Sequence, residues 1–214
     1  MRAIDLSHPI HTGMPVYPGT PRPAVAPANT IAEHGFAERL LTFGSHTGTH
    51  MDAPAHLLDG GRTLDAYSPD RFLGPGCVID VATSGLTTGL LRDQEERLRG
   101  CSFALLHTGW SRFWGSPAYF EGFPTLTADA ATWLASLGLS AVGVDAISVD
   151  SIESPDLPVH RVLLGAGVLL VENLTNLELL PPRGFTVCSL PLPLAEADGA
   201  PCRTIALLDD PPHP

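Results

Sequence analysis

Four short apolar runs constrain the fold most. GPGCVIDVAT (74–83), SFALLHTGW (102–110), LSAVGVDAISVD (139–150) and GVLLVENL (167–174) are rich in valine or leucine and bounded by turn residues. Runs of that kind are buried strands. FAERLLTFGSHTGTHMD (36–52) also reads as strand, because Leu, Phe and Thr interrupted by Gly44 and Gly48 make poor helix. Helices are fewer: TTGLLRDQEERLRG (87–100) and TLTADAATWLASLG (125–138), the second with Thr127 as N-cap and Gly138 as its stop. Strands alternating with a few helices predict an α/β domain with a mixed sheet, or a layered β/β/α arrangement.

The 214 residues make one large domain or two small ones, and the 21 prolines and 21 glycines collect into no linker, tract or repeat. A single domain over 1–214 is therefore expected. Its proline-rich piece between Met14 and Pro27 reads as the centre of an extended N-terminal arm at about 8–30. Such an arm covers a neighbouring subunit or an active-site mouth, or is a plain surface loop.

Composition removes several function classes. The formal charge of −11 repels phosphate backbones and anionic lipid, so neither nucleic acid nor membrane is an expected partner. All 12 basic residues are arginine, which excludes a Schiff-base lysine, a lysine base and the Walker-type phosphate loop. The start lacks an apolar core of signal-peptide length, and no apolar run reaches the ~18 residues of a membrane span, so a cytoplasmic location is expected. Cys77, Cys101, Cys188 and Cys202 form no CxxC pair and read as ordinary thiols.

Chemistry concentrates in SHTGTHMDAPAH (45–56), with three histidines and one aspartate in twelve positions. If residues 46–52 are extended, His46, Gly48, His50 and Asp52 face one way and the small Gly48 leaves room for an ion. Two imidazoles and a carboxylate suit divalent zinc, manganese or iron with coordination positions left open. The helical alternative, His46 and His50 one turn apart, is weakened by Gly48, two threonines and Pro54. His56, beyond Pro54, is placed to reach over the site as a further ligand or a proton carrier. Glu172 ends an apolar run, where a buried carboxylate needs a partner. His160, after Pro158, reads as a loop histidine.

HTGTHMDAPAH resembles the HxGTHxDxPxH signature of the metal-dependent cyclase-like hydrolases, a family that includes bacterial kynurenine formamidases and isatin hydrolases. DLSHPIHTGMPVYPG, LLHTGW, GVDAISVDS, VHRVLLGAGVLLVENLTNL and SLPLPLAEADGAPCRTIAL extend the resemblance along most of the chain. It implies a swivelling-type β/β/α domain holding one or two divalent metals, zinc foremost and manganese next. The implied ligands are His46, His50, Asp52, His160 and Glu172, with Asp52 and Glu172 as bridges and His56 as proton donor and acceptor. Tyr17 stands in PVYPGT where the resembled formamidases carry a stacking tryptophan in PVWPGD, and Thr20 replaces their acid.

The implied activity is hydrolysis of a small amide, lactam or related carbonyl compound in arylformamidase fashion, on a carbon–nitrogen bond outside peptides. Alternatives are a metal-dependent cyclase or dehydratase, and a non-catalytic metal-binding module. A homodimer or homotetramer is the expected assembly. Trp110, Phe113 and Trp114 read as core or pocket wall, His107 as a support or a buried histidine, and Asp145, Ser148 and Asp150 as neighbours of a strand end.

Overall fold

The computed structural model describes residues 1–81 and 86–209. Ala82 and Thr83, the end of the first apolar run, lie outside the described residues. The strands are β1 (Arg2–Asp5), β2 (Ala24–Asn29), β3 (Glu38–Thr42), β4 (His50–Asp52), β5 (Leu73–Asp80), β6 (Phe103–His107), β7 (Ala141–Val144), β8 (Leu169–Glu172), β9 (Arg183–Pro191) and β10 (Gly199–Leu208). The helices are α1 (Ile31–His34), α2 (Thr88–Arg92), α3 (Glu95–Leu98), α4 (Ala128–Ala135) and α5 (Pro158–Gly165). None is long and apolar enough to cross a membrane.

The eight-stranded sheet runs β1-β10-β4-β8-β7-β6-β5-β9, and β9 pairs with β10 as well as β5, so the sheet curls back on itself. Its centre, β5 to β8, is parallel, while the flanking pairings are antiparallel. This is the mixed α/β architecture expected from the sequence. β2 and β3 form a separate antiparallel hairpin.

Period-two alternation explains why the central runs are apolar throughout. Ala104, Leu106, Val142 and Leu170 enter a core shared with α4 and α5, whereas Phe103, Leu105, Ala141, Leu169 and Val171 enter a second core under the returning strands. Strands buried on both faces have no polar side to show. Thr127 caps α4 as expected, its hydroxyl accepting from the Ala130 amide at 3.2 Å. The other helical stretch divides into α2 and α3 at Asp93 and Gln94, the first of which is a weak helix former.

Two expectations need correction. The strand in the histidine-rich stretch covers only His50–Asp52, because Gly48 takes a left-handed φ of 68° and turns the chain. His160 lies in a helix and not in a loop. Pro158 occupies the first turn of α5, where its missing N–H costs nothing.

β4 lies between β8 and β10, with His50 opposite Glu172 and Asp52 opposite Gly199. Directly opposed side chains share one face, so register alone brings Glu172 to the histidine stretch.

Candidate metal centre

His50 and Asp52 point from β4 to the same side as Glu172 at the end of β8. His50 Nε2 is 3.2 Å from Asp52 Oδ1 and 3.6 Å from Glu172 Oε2. From α5, His160 Nε2 approaches Glu172 Oε1 to 3.2 Å and Asp52 Oδ2 to 3.6 Å. The turn at Gly48 swings His46 back until its Nδ1 is 2.7 Å from Asp52 Oδ1. All five residues named as ligands from the sequence thus meet, although His46 arrives by a turn and not by strand parity. Gly48 does not make room for an ion: a Cβ there would touch Ile10 and Met14 at 3.3 Å.

Both buried imidazoles have one nitrogen already assigned. His50 Nδ1 faces the Gly48 carbonyl at 2.8 Å, which can only accept, so this nitrogen carries the proton. His160 Nδ1 lies 2.7 Å from Asp150 Oδ2, and the Asp150 carboxylate also takes the Val159 and His160 amides at the start of α5. The free Nε2 of each ring therefore directs a lone pair at carboxylate oxygens, an arrangement that a proton or a cation must relieve. Asp52 Oδ2 is buried with no hydrogen-bond partner. A buried carboxylate oxygen without a donor is costly, and a coordinated cation supplies what it lacks.

The titration behaviour follows from the same crowding. Burial opposes charge on His160, but its hydrogen bond to Asp150 and the nearby carboxylates of Asp52 and Glu172 raise its pKa to about 12. Burial likewise opposes charge on His46, and the Asp52 charge with the Asp52 and Asp198 hydrogen bonds raises it to about 9. Despite burial, electrostatic interaction with the neighbouring imidazoles of His50 and His46 holds Asp52 well below the usual carboxylate range. Donor atoms of Asp52, His160 and Glu172 lie within 4.8 Å of one another, as do those of His46, His50 and Asp52. Imidazole nitrogens and carboxylate oxygens sharing Asp52 fit one or two divalent cations.

The rim is more open. His56, in the short 3-10 turn after β4, lies beside His46 with ring centres 4.0 Å apart and approaches Asp198 Oδ2 to 3.6 Å. Burial lowers its pKa. Asp198, just before β10, also takes His46 Nε2 at 3.0 Å. The sequence reading did not single Asp198 out. Its one local signal is the following Gly199, where a Cβ would lie 2.5 Å from His46 Cε1.

A cavity of about 230 Å³ opens over these groups. Tyr17 and Thr20 line it with Pro15, Val16, Ile147, Ser148 and Leu157, which places the expected substrate-facing aromatic beside the donor cluster. Trp110, Phe113 and Trp114 instead pack against the helix-side core. His107 pairs with Asp80 at 3.1 Å and is not among the residues lining the cavity. Asp145 accepts from the amide and hydroxyl of Thr108, a structural role.

Comparison with known proteins places the chain in a family. Residues 4–151 match the family described as "Putative cyclase". The chain belongs to the cyclase family. The kynurenine formamidase of Geobacillus thermodenitrificans is 32% identical over 202 residues, covering 94% of each chain. Isatin hydrolase A from Ralstonia solanacearum superposes with a TM-score of 0.86 at 27% identity, covering 97% of this chain and 92% of that one. A structure described as a potential metal-dependent hydrolase with cyclase activity gives a TM-score of 0.82 at 29% identity, covering 98% and 99%. With relatives of this kind matched over at least 92% of either chain, the cyclase-family chain is a hydrolase.

Proposed function

We propose that this cyclase-family protein is a divalent-metal-dependent hydrolase that cleaves a carbon–nitrogen bond in a small aryl amide, lactam or related carbonyl compound. The observation that carries the reading is the buried Asp52 Oδ2 without a donor, facing His160 Nε2 in a cluster where two imidazoles already have Nδ1 assigned. Such a set is built to surround a cation. His46, His50, Asp52, His160 and Glu172 would hold it, zinc being the best match to the donors and manganese the next. When bound, a divalent cation supplies Lewis-acid polarisation and brings the pKa of water toward about 7.

The chain's own groups account for the rest. His56 is half-buried and lines the cavity, and burial lowers its pKa, so the ring is neutral near pH 7 and has a nitrogen able to accept a proton. It therefore takes a proton from the attacking water and returns it to the departing nitrogen. Asp198 faces the same ring and compensates the charge that forms. Tyr17 offers an aromatic face to a flat substrate, while Pro15, Val16, Ile147 and Leu157 exclude water around it. Among the described residues lining the cavity there is no arginine to pair with an anionic group, so an uncharged substrate is a better match than an anionic one. The homo-oligomer reading is supported by the β2–β3 hairpin and its turn, which expose Ile31, Phe36, Leu40 and Leu41.

The test is metal analysis coupled to a panel of formanilides, lactams and lactones, assayed before and after chelation. Turnover of at least one amide or lactam, lost on chelation and restored by zinc or manganese, is the expected outcome. Activity that survives complete removal of metal overturns the reading.

A further inference from the structure

The wall behind His50 holds a chain of hydrogen bonds that the proposed chemistry does not use. Asn173 follows Glu172 at the end of β8 in a left-handed conformation, φ 57°, which asparagine tolerates better than most residues. Its Nδ2 donates to the Gly48 carbonyl at 2.9 Å, and the same carbonyl accepts from His50 Nδ1 at 2.8 Å. The Tyr119 hydroxyl donates to Asn173 Oδ1 at 2.8 Å. Thr49 Oγ1 donates to the Asn173 carbonyl at 2.6 Å, so the 48–49 turn is gripped at two points.

The direction of this chain follows from the chemistry of its ends. A carbonyl oxygen only accepts, so the amide nitrogen of Asn173 must face Gly48 and its oxygen must face Tyr119. Both lone pairs of the Gly48 carbonyl are then used, one by Asn173 and one by His50. Without the Asn173 amide the Gly48 carbonyl is free to rotate away from the imidazole, and the His50 ring loses the contact that sets its tautomer. Tyr119 and Asn173 are both buried, so water cannot replace either partner cheaply. Asp150 does the equivalent for His160 by direct contact, whereas His50 is reached only through a backbone carbonyl.

We infer that Asn173, oriented by Tyr119, is a positioning residue that fixes His50 as the Nδ1–H tautomer with Nε2 turned toward Asp52 and Glu172. The inference rests on the metal-hydrolase reading for its use, though not for its geometry. Two readouts test it: the His50 tautomer in metal-free protein, from ¹⁵N–¹H NMR with ¹⁵N-labelled histidine, and zinc affinity, from competition with a chromophoric chelator.

Asn173→Gly keeps the left-handed backbone and deletes the amide. It should shift His50 away from a single Nδ1–H tautomer and weaken zinc binding by about 10- to 100-fold. Tyr119→Phe keeps the ring and deletes only the hydroxyl, and should move both readouts the same way by a smaller factor. A merely destabilised fold would leave the tautomer unchanged. If wild-type protein bound no zinc, the hydrolase reading would fall while the tautomer comparison still decided the role of Asn173. If zinc bound tightly and both variants kept the wild-type tautomer and affinity, the positioning role would be overturned and the hydrolase reading would stand. Should Asn173→Gly fail to fold, Tyr119→Phe decides by the same two measurements.

Discussion

The floor and the rim of the cleft use the same residue types in opposite ways. On the floor, His50, Asp52, His160 and Glu172 are all buried, and each imidazole has its Nδ1 occupied by a fixed acceptor. On the rim, His46, His56 and Asp198 are only partly buried, and the His56 ring is tilted 41° from that of His46. A group that must hold a cation needs one geometry and pays to be desolvated for it. A group that carries protons needs access to water and a ring free to exchange partners. On the proposed roles, burial marks off the fully enclosed ligands from the proton carrier His56, with His46 the ligand that touches both groups.

The sharpest way to break this contrast is on the floor. Glu172→Gln keeps the volume but removes the charge that faces both His50 and His160. It should strip the metal and lower kcat/KM by more than about a thousand-fold, since several kcal/mol of barrier lowering depend on the cation. Metal content by mass spectrometry and turnover should fall together. Full metal occupancy with normal turnover would remove Glu172 from the floor.

The rim should respond differently. His56→Ala is expected to cost about 100-fold in kcat while metal content stays at the wild-type level, because the proton carrier goes and the ligands remain. Loss of metal in this variant would make His56 a ligand and erase the distinction between the two regions.

What the sequence revealed of this site follows the distance along the chain at which its parts lie. His46, His50, Asp52 and His56 fall within twelve residues, so their density was visible at once. Glu172 had a weak signal of its own in the apolar run it ends, but His160 emerged through the family resemblance, since a histidine after Pro158 looks like loop until Asp150 is seen to cap the helix it begins. Asp198 was missed because an acid in AEADG looks like turn, and only β10 pairing with β4 reveals its purpose. The fold shows the same limit. The parallel strands are apolar on both faces and were legible as runs, but β9 alternates, with Phe185 and Val187 buried and then polar Ser189, which hydrogen-bonds to Thr204 instead of ending the buried face. Long-range pairing, and not local composition, makes β9 and β10 strands.

A third consequence concerns pH. In the metal-free protein, burial works against the charge on His160, yet Asp150, Asp52 and Glu172 hold it up at about 12, and His46 rises to about 9 for similar reasons. Each folded-state pKa lies above the ordinary histidine value of 6.5, so these protons support the metal-free fold fully below that pH. The support fades as pH climbs through about 9 for His46 and toward about 12 for His160. A cation that takes these nitrogens must expel their protons, so zinc affinity should rise with pH by about tenfold per unit for each proton displaced. Calorimetry at pH 7 in two buffers of different ionisation enthalpy measures the release directly. His56, whose pKa is lowered, should contribute none of it, and a zinc affinity flat between pH 6 and 8 would contradict the assigned floor chemistry.

The smallest effect is expected at Asp198, and it is the most diagnostic of where the rim ends. Its side chain is 44% exposed, so water screens its contacts with His46 and His56. Exposed pairs of this type contribute at most about 1 kcal/mol, or roughly fivefold in rate. Asp198→Asn preserves the shape and an acceptor for His46 Nε2 while removing the charge that compensates a protonated His56. Turnover should fall by about three- to fivefold at unchanged zinc content, with the acidic limb of the kcat profile moving to lower pH, because a histidine that loses a neighbouring carboxylate is easier to deprotonate. A loss comparable to that of Glu172→Gln would mean that Asp198, the carboxylate of the rim, grips a cation of its own, and the boundary between holding and shuttling would then run between His56 and Asp198.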